Sequence, residues 1–153
     1  MSAKIRQSWT ELKPLITRWL PYKLWLISLV AMLGSLYFSE IRHINPCPLC
    51  WYQRIFAYPN AILIGLTIWQ RDRRAWLYVA VLALGQAAVA LYHVMLQAGV
   101  PGIAASCSTN IATTCAKAYP VLGPLTLPQL SLIASLVVLT GSIWLYHQKK
   151  AAS

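Results

Sequence analysis

The chain has 153 residues, 58% of them hydrophobic and 10% charged, with a mean hydropathy of +0.55, a mixture too apolar for an ordinary water-soluble domain. Its formal net charge of +10 does not imply nucleic acid, because the basic residues form short clusters between apolar runs and no stripe interleaved with aromatics. A single membrane domain is expected, in which about 20 apolar residues per crossing leave room for a handful of helices.

Residues 2–20 place Ile5, Trp9, Leu12, Ile16 and Trp19 at helical spacing, with Lys4, Arg6, Lys13 and Arg18 available to lipid headgroups. This pattern predicts an interfacial amphipathic helix. The first apolar run, 23–38, is followed by no small-residue cleavage site, so it is expected to remain as a membrane anchor. A polar stretch leads into Pro46-Cys47-Pro48-Leu49-Cys50, and a second span runs over 51–69. The short loop 70–74 follows, then a third span over 75–96, a loop to 125 rich in Gly, Pro, Ser and Thr, and a fourth span over 126–146. The expected fold is an all-α, antiparallel bundle of four transmembrane helices, since helices satisfy their backbone groups without water. Gly34, Gly65, Gly85 and Gly141 either permit close helix contacts or face lipid incidentally. The seven tryptophans and eight tyrosines are read as interfacial anchors.

Basic residues cluster at the N-terminus through Lys23, at Arg71, Arg73 and Arg74, and at Lys149 and Lys150, whereas the intervening loops carry only Arg42 and Lys117. The positive-inside bias therefore places both termini in the cytoplasm and the loops 39–50 and 97–125 outside, in a bacterial inner membrane. All four cysteines, Cys47, Cys50, Cys107 and Cys115, then face the compartment in which disulfides are made and persist.

Pro48 suits the first turn of a helix, so Cys47 is expected at the N-cap and Cys50 within the first turn. The positive helix end lowers thiol pKa, and Arg54, one turn after Cys50, adds a fixed charge, which makes Cys50 the better thiolate. An arginine just inside a span is a functional hypothesis by default, though at this depth it can also snorkel to water. His93 lies about one turn below the outer surface on the third span, the same stratum as Arg54. A quinone headgroup accepts hydrogen bonds and needs protons on reduction, so both residues are candidates to bind it beside Cys50. The alternative for His93 is an interfacial histidine that meets water or backbone.

Cys107 and Cys115 enclose seven residues. As a staple such a disulfide contributes only about 2.5 kcal/mol and ties down its own loop, so an exposed, exchangeable bond is the better explanation. A zinc site made of all four cysteines is the competing arrangement, against which the unequal spacing and the need to fix the loop over the bilayer both argue. No strand-helix-strand pattern surrounds the Cys-x-x-Cys, which excludes a thioredoxin fold.

The segment from Pro46 through Cys47, Cys50, Trp51, Tyr52 and Gln53 to Arg54 resembles the quinone-proximal motif of the disulfide bond formation protein B family, DsbB. His93-Val94-Met95-Leu96-Gln97 resembles the family segment ending its third span, and the short second loop resembles the BdbC-like branch. The resemblance implies a thiol-disulfide oxidoreductase that reoxidises a DsbA-like, thioredoxin-like dithiol outside the membrane. It implies that Cys107 forms the mixed disulfide, that Cys115 passes electrons to Cys47, and that Cys50 reduces a membrane quinone, ubiquinone or menaquinone. It further implies that Arg54 holds the Cys50 thiolate and quinone together and that His93 lies near the quinone ring. Longer-loop members carry a surface helix before the second loop cysteine, for which this chain has no space. Two readings from other classes remain: a non-enzymatic membrane protein with structural disulfides, and a conduit carrying reductant outward, which needs cysteines reaching both faces.

Overall fold

The computed structural model describes residues 3–43, 46–72, 74–100, 115, 120–122 and 125–151. Cys107 and Lys117, with most of the loop that carries them, lie outside the described residues. The described residues form four long helices: α1 over Ala3–Leu36, α2 over Pro48–Gln70, α3 over Ala75–Gln97 and α4 over Leu127–Ala151. A small antiparallel ribbon pairs β1, Pro120–Leu122, with β2, Leu125–Thr126.

Helix α1 does not break where the interfacial segment was expected to hand over to the first span; 34 residues run through Pro21 without interruption. At 1.5 Å per residue it is about 51 Å long, well beyond the ~30 Å of a hydrocarbon core. It extends past the expected boundary at residue 38 into a π-helical turn, Tyr37–Ile41, closed by the Arg42 N–H donating to the Tyr37 carbonyl at 3.1 Å. His43 then turns the chain with φ +50.

Pro48 opens α2 at its first position with Cys47 as an extended N-cap, φ −68 and ψ 163, because a residue without an N–H is cheapest where the helix leaves that donor unpaired. The helix stops at Arg71, which adopts the left-handed φ 54 and ψ 24. Thr126 and Gln129 form half of a capping box at the start of α4, the Thr126 N–H donating to Gln129 Oε1 at 3.0 Å. The Thr126 hydroxyl donates to Gln97 Oε1 at 3.1 Å, which ties the ribbon to the end of α3.

Among the described residues, three helical stretches are long and apolar enough to cross a membrane: 15–41, 75–97 and 127–148. Helix α2 is as long as α3 but carries Gln53, Arg54, Pro59 and Asn60, and the polar ones lower its hydropathy. Their placement explains how it still packs. Gln53, Asn60 and Thr67 recur every seven residues and are all buried, while Trp51, Ile55, Ile62 and Trp69 are exposed. The polar stripe faces protein and the apolar face looks outward.

Helix α3 is the central element, packed chiefly on α4 and then on α2. Its buried face is largely alanine, with Ala80, Ala83, Ala87 and Ala90, which lets neighbouring backbones approach. Gly85 is required there: a Cβ would lie 2.7 Å from the Phe56 ring. Gly141 likewise receives Leu24, which a Cβ would meet at 2.8 Å, whereas a Cβ at Gly34 would meet nothing within 4 Å among the described residues. One apolar core, built on Leu24, Ile64, Trp76, Val79, Ala83, Val138 and Leu145, occupies the end of the molecule away from the cysteines. A second cluster contains Cys47, Leu49, Leu96 and Cys115.

Candidate functional site

The N-cap of α2 brings Cys47 and Cys50 together. Their sulfurs are 3.2 Å apart, with Cys47 donating its S–H to Cys50 Sγ, and a disulfide at about 2.05 Å is a side-chain rotation away. Cys47 is buried and Cys50 half-buried. Both precede the apolar run 51–69.

The two thiols differ in acidity. Cys50 is held below the ordinary thiol range, chiefly by the hydrogen bond from Cys47, against the opposing effect of burial; a backbone hydrogen bond from Cys47 adds to it, and Arg54 contributes least. Cys47 is pushed up to about 11 by its hydrogen bond to Cys50 and by burial. The thiolate expected at Cys50 is therefore favoured for a reason other than the one the spacing suggested: the neighbouring thiol matters more than Arg54.

Cys115 is 1% exposed, and its sulfur, the Cys47 sulfur and a His93 ring nitrogen all lie within 4.8 Å of one another. The second pair thus contributes a cysteine directly to the first. His93 is 2% exposed and closes this cluster. Its Nε2 lies 3.1 Å from the Cys115 carbonyl oxygen and 3.8 Å from Cys47 Sγ. A carbonyl only accepts, so Nε2 carries the proton, and Nδ1 accepts from the Gln53 amide at 3.1 Å.

Arg54 points elsewhere. Its Nε–H donates to Ser35 Oγ at 2.9 Å and an Nη2–H donates to the Ser35 carbonyl at 3.0 Å, with the guanidinium 5.3 Å from the Trp51 ring centroid. Arg54 and His93 share a stratum but not a neighbourhood, since adjacent residues on α2 diverge by about 100° and it is Gln53 that reaches His93. Two residues of the site do not stand out as candidates in the sequence. Gln53 sits inside the motif and is detectable as one of three polar residues at seven-residue spacing; Ser35, on α1, gives no signal.

Cys47, His93 and Cys115 also form the one group among the described residues whose ligand atoms are spaced for a metal ion. That set differs from a site made of four cysteines, because a histidine joins it.

Comparison with known proteins gives a consistent picture. Residues 17–145 match the family model described as disulfide bond formation protein DsbB. The chain is 41% identical over 131 residues to a probable disulfide formation protein of Deinococcus radiodurans, covering 80% of this chain and 86% of that protein. It is 40% identical over 119 residues to disulfide bond formation protein C of Bacillus subtilis, covering 77% and 86%. A probable disulfide formation protein C 1 of Bacillus anthracis is 35% identical over 125 residues, covering 82% and 90%. No solved structure matches.

Proposed function

The chain belongs to the disulfide bond formation protein DsbB family, and from that premise we propose that it is a dithiol:quinone oxidoreductase which makes disulfides outside a bacterial inner membrane. In this reading all four helices cross the membrane as an antiparallel bundle. Both termini are cytoplasmic, the first turns of the unbroken α1 continue past the hydrocarbon core into the headgroup region, and both cysteine pairs face outward.

The observation that carries the reading is the sequence of sulfurs, with Cys115 beside Cys47 and Cys47 3.2 Å from Cys50. A reduced, DsbA-like partner attacks the Cys107–Cys115 disulfide at Cys107, forming the mixed disulfide and releasing Cys115 as a thiolate. Cys115 attacks Cys47 of an oxidised Cys47–Cys50 pair; the Cys115–Cys47 bond forms, the Cys47–Cys50 bond breaks, and the electron pair leaves on Cys50. A thiol of low pKa is the better leaving group, and Cys50 is the sulfur so tuned. The partner's second thiol attacks its own mixed-disulfide sulfur and frees Cys107, which then closes back onto Cys115 and releases Cys47. The net transfer is two electrons and two protons from the partner to the Cys47–Cys50 pair.

A membrane quinone, ubiquinone or menaquinone, accepts two electrons and two protons. The residues around Cys50 fit its headgroup: Cys50 is half-buried with Trp51 and Tyr52 exposed beside it, and Arg54, anchored on Ser35 through Nε and Nη2, has further N–H groups for a carbonyl oxygen. His93 belongs with the exchange between Cys115 and Cys47, where its Nε2–H is positioned to stabilise a thiolate as it develops.

The test is quinone reduction by the purified protein, followed optically while a reduced thioredoxin-like dithiol is supplied. Turnover is expected in the wild type and absent in Cys50→Ser and Cys107→Ser. A folded protein with oxidised pairs that reduces no quinone from any dithiol would move the assignment to structural disulfides.

A further inference from the structure

At the end of the molecule away from the cysteines, α1 meets the junction of α2 and α3 around an open cavity of about 200 Å³. Arg18 and Tyr22 of α1, Thr67, Ile68 and Arg71 at the end of α2, and Trp76 at the start of α3 line it. Cys50 and Arg71 are 21 residues apart on one helix, about 32 Å at 1.5 Å per residue, so the cavity and the thiols lie at opposite membrane surfaces.

The polar groups around it are mostly donors. Neither guanidinium can accept a hydrogen bond, and neither forms an ion pair among the described residues. The chain has three acidic side chains, Glu11, Glu40 and Asp72, and neither Glu40 nor Asp72 is among the described residues that line the cavity. Trp76 is 1% exposed, and its indole N–H has no hydrogen-bond partner among the described residues, a condition that costs stability unless an acceptor arrives. Two fixed positive charges and a donor without an acceptor select a multiply accepting anion, for which phosphate is the natural match.

The surroundings identify its carrier. Tyr22, which lines the cavity, is exposed, as are Trp19 and Trp69, next in sequence to the lining residues Arg18 and Ile68, and Leu26, Val30 and Leu33 are exposed further along α1. A phosphate held here has acyl-chain surface directly adjoining it, and basic pockets between transmembrane helices are established lipid-headgroup sites. We infer that this cavity binds the headgroup phosphate of an anionic phospholipid, with Arg18 and Arg71 as its charged contacts and the Trp76 N–H as a further donor. The inference depends on the chain residing in a membrane and not on its redox chemistry, so the two can fail separately.

Delipidated full-length protein in neutral detergent, examined by native mass spectrometry, tests it. Phosphatidylglycerol and phosphatidylcholine of identical acyl chains are offered in turn. The wild type is expected to retain one phosphatidylglycerol, and an Arg18→Gln/Arg71→Gln variant to lose that adduct by roughly tenfold or more. Both arginines are exposed, so the variant is expected to fold, as thiol labelling of Cys50 at the wild-type rate would verify. Arg74→Gln, which removes a neighbouring charge outside the cavity, should retain the lipid. Equal retention of phosphatidylcholine, retention in the double variant, or equal loss in Arg74→Gln would each overturn the proposal. Displacement of the lipid by millimolar inorganic phosphate would assign the site to the free anion and overturn the lipid.

Discussion

The proton shared by Cys47 and Cys50 stays with Cys47 because its S–H is directed at the Cys50 sulfur, a hydrogen bond that raises the one thiol and lowers the other. The Cys47 hydrogen bond is also the largest cause lowering the Cys50 pKa, so Cys47→Ala should move the midpoint of Cys50 alkylation towards the ordinary thiol value. The sign follows directly: a thiol reacts as its thiolate above its pKa, and raising that pKa slows alkylation near neutral pH. An Arg54→Gln variant should shift the same profile less, although it should impair quinone reduction; a larger shift in Arg54→Gln than in Cys47→Ala would show that the guanidinium, and not the neighbouring thiol, sets the acidity. At His93 the residue to change is Gln53. Gln53→Leu removes the donor to Nδ1 and leaves a buried acceptor unpaired, typically a cost of about 1–3 kcal/mol. Rapid-quench trapping should then show Cys115 attacking Cys47 more slowly while Cys50 alkylation stays close to wild type. The closeness of Cys47 and Cys50 could be read from the sequence, because Pro48 starts a helix there and the spacing puts one thiol at its N-cap and the other in its first turn. The partnership of Gln53, His93 and Cys115 could not, since it joins α2, α3 and the second loop across 40 and 22 positions of chain.

At the level of helices, the starts were more legible than the continuities. Pro48 announces α2, whereas the separate interfacial helix and first span expected on either side of residue 21 are one uninterrupted helix. The hydropathy of α2 understates its role as a packed helix because Gln53, Asn60 and Thr67 face inward. Glycines that sequence alone left undecided separate once their neighbours are known. A Cβ on Gly85 would meet three atoms of the Phe56 ring at 2.7 to 3.2 Å, and a ring wedged between helices cannot yield as a chain end would. Gly85→Ala should therefore lower the thermal stability of the protein in detergent, by about 1–3 kcal/mol of overpacking less the ~1 kcal/mol by which alanine favours a helix. Adding Phe56→Leu should recover part of the loss. Gly34→Ala, with nothing among the described residues within 4 Å of the added carbon, should be neutral or slightly stabilising, and an equal loss at both sites would show that packing is not the cause.

Across the whole molecule, chemistry and charge are separated by the length of one helix. The cysteines cap the start of α2, and Arg71 and Arg74 sit at its far end, about 32 Å away along the axis, a distance matching the hydrocarbon thickness of ~30 Å. That match means the two ends cannot both be solvated on the same side unless α2 lies flat, and its buried contacts with α3 and α1 argue against a helix detached at the surface. In the proposed topology the basic clusters put the Arg71 end in the cytoplasm and Cys50 outside, where an oxidant for folding proteins has substrates. In a variant lacking the four native cysteines, a single cysteine placed at Arg74 should react with a membrane-impermeant maleimide only after the membrane is opened. A single cysteine retained at position 50, kept reduced until labelling, should react in intact cells whose outer barrier is permeable. Labelling of both from outside would remove the spanning arrangement of α2, and labelling of position 74 alone would invert the protein and put the cysteine pairs on the cytoplasmic side.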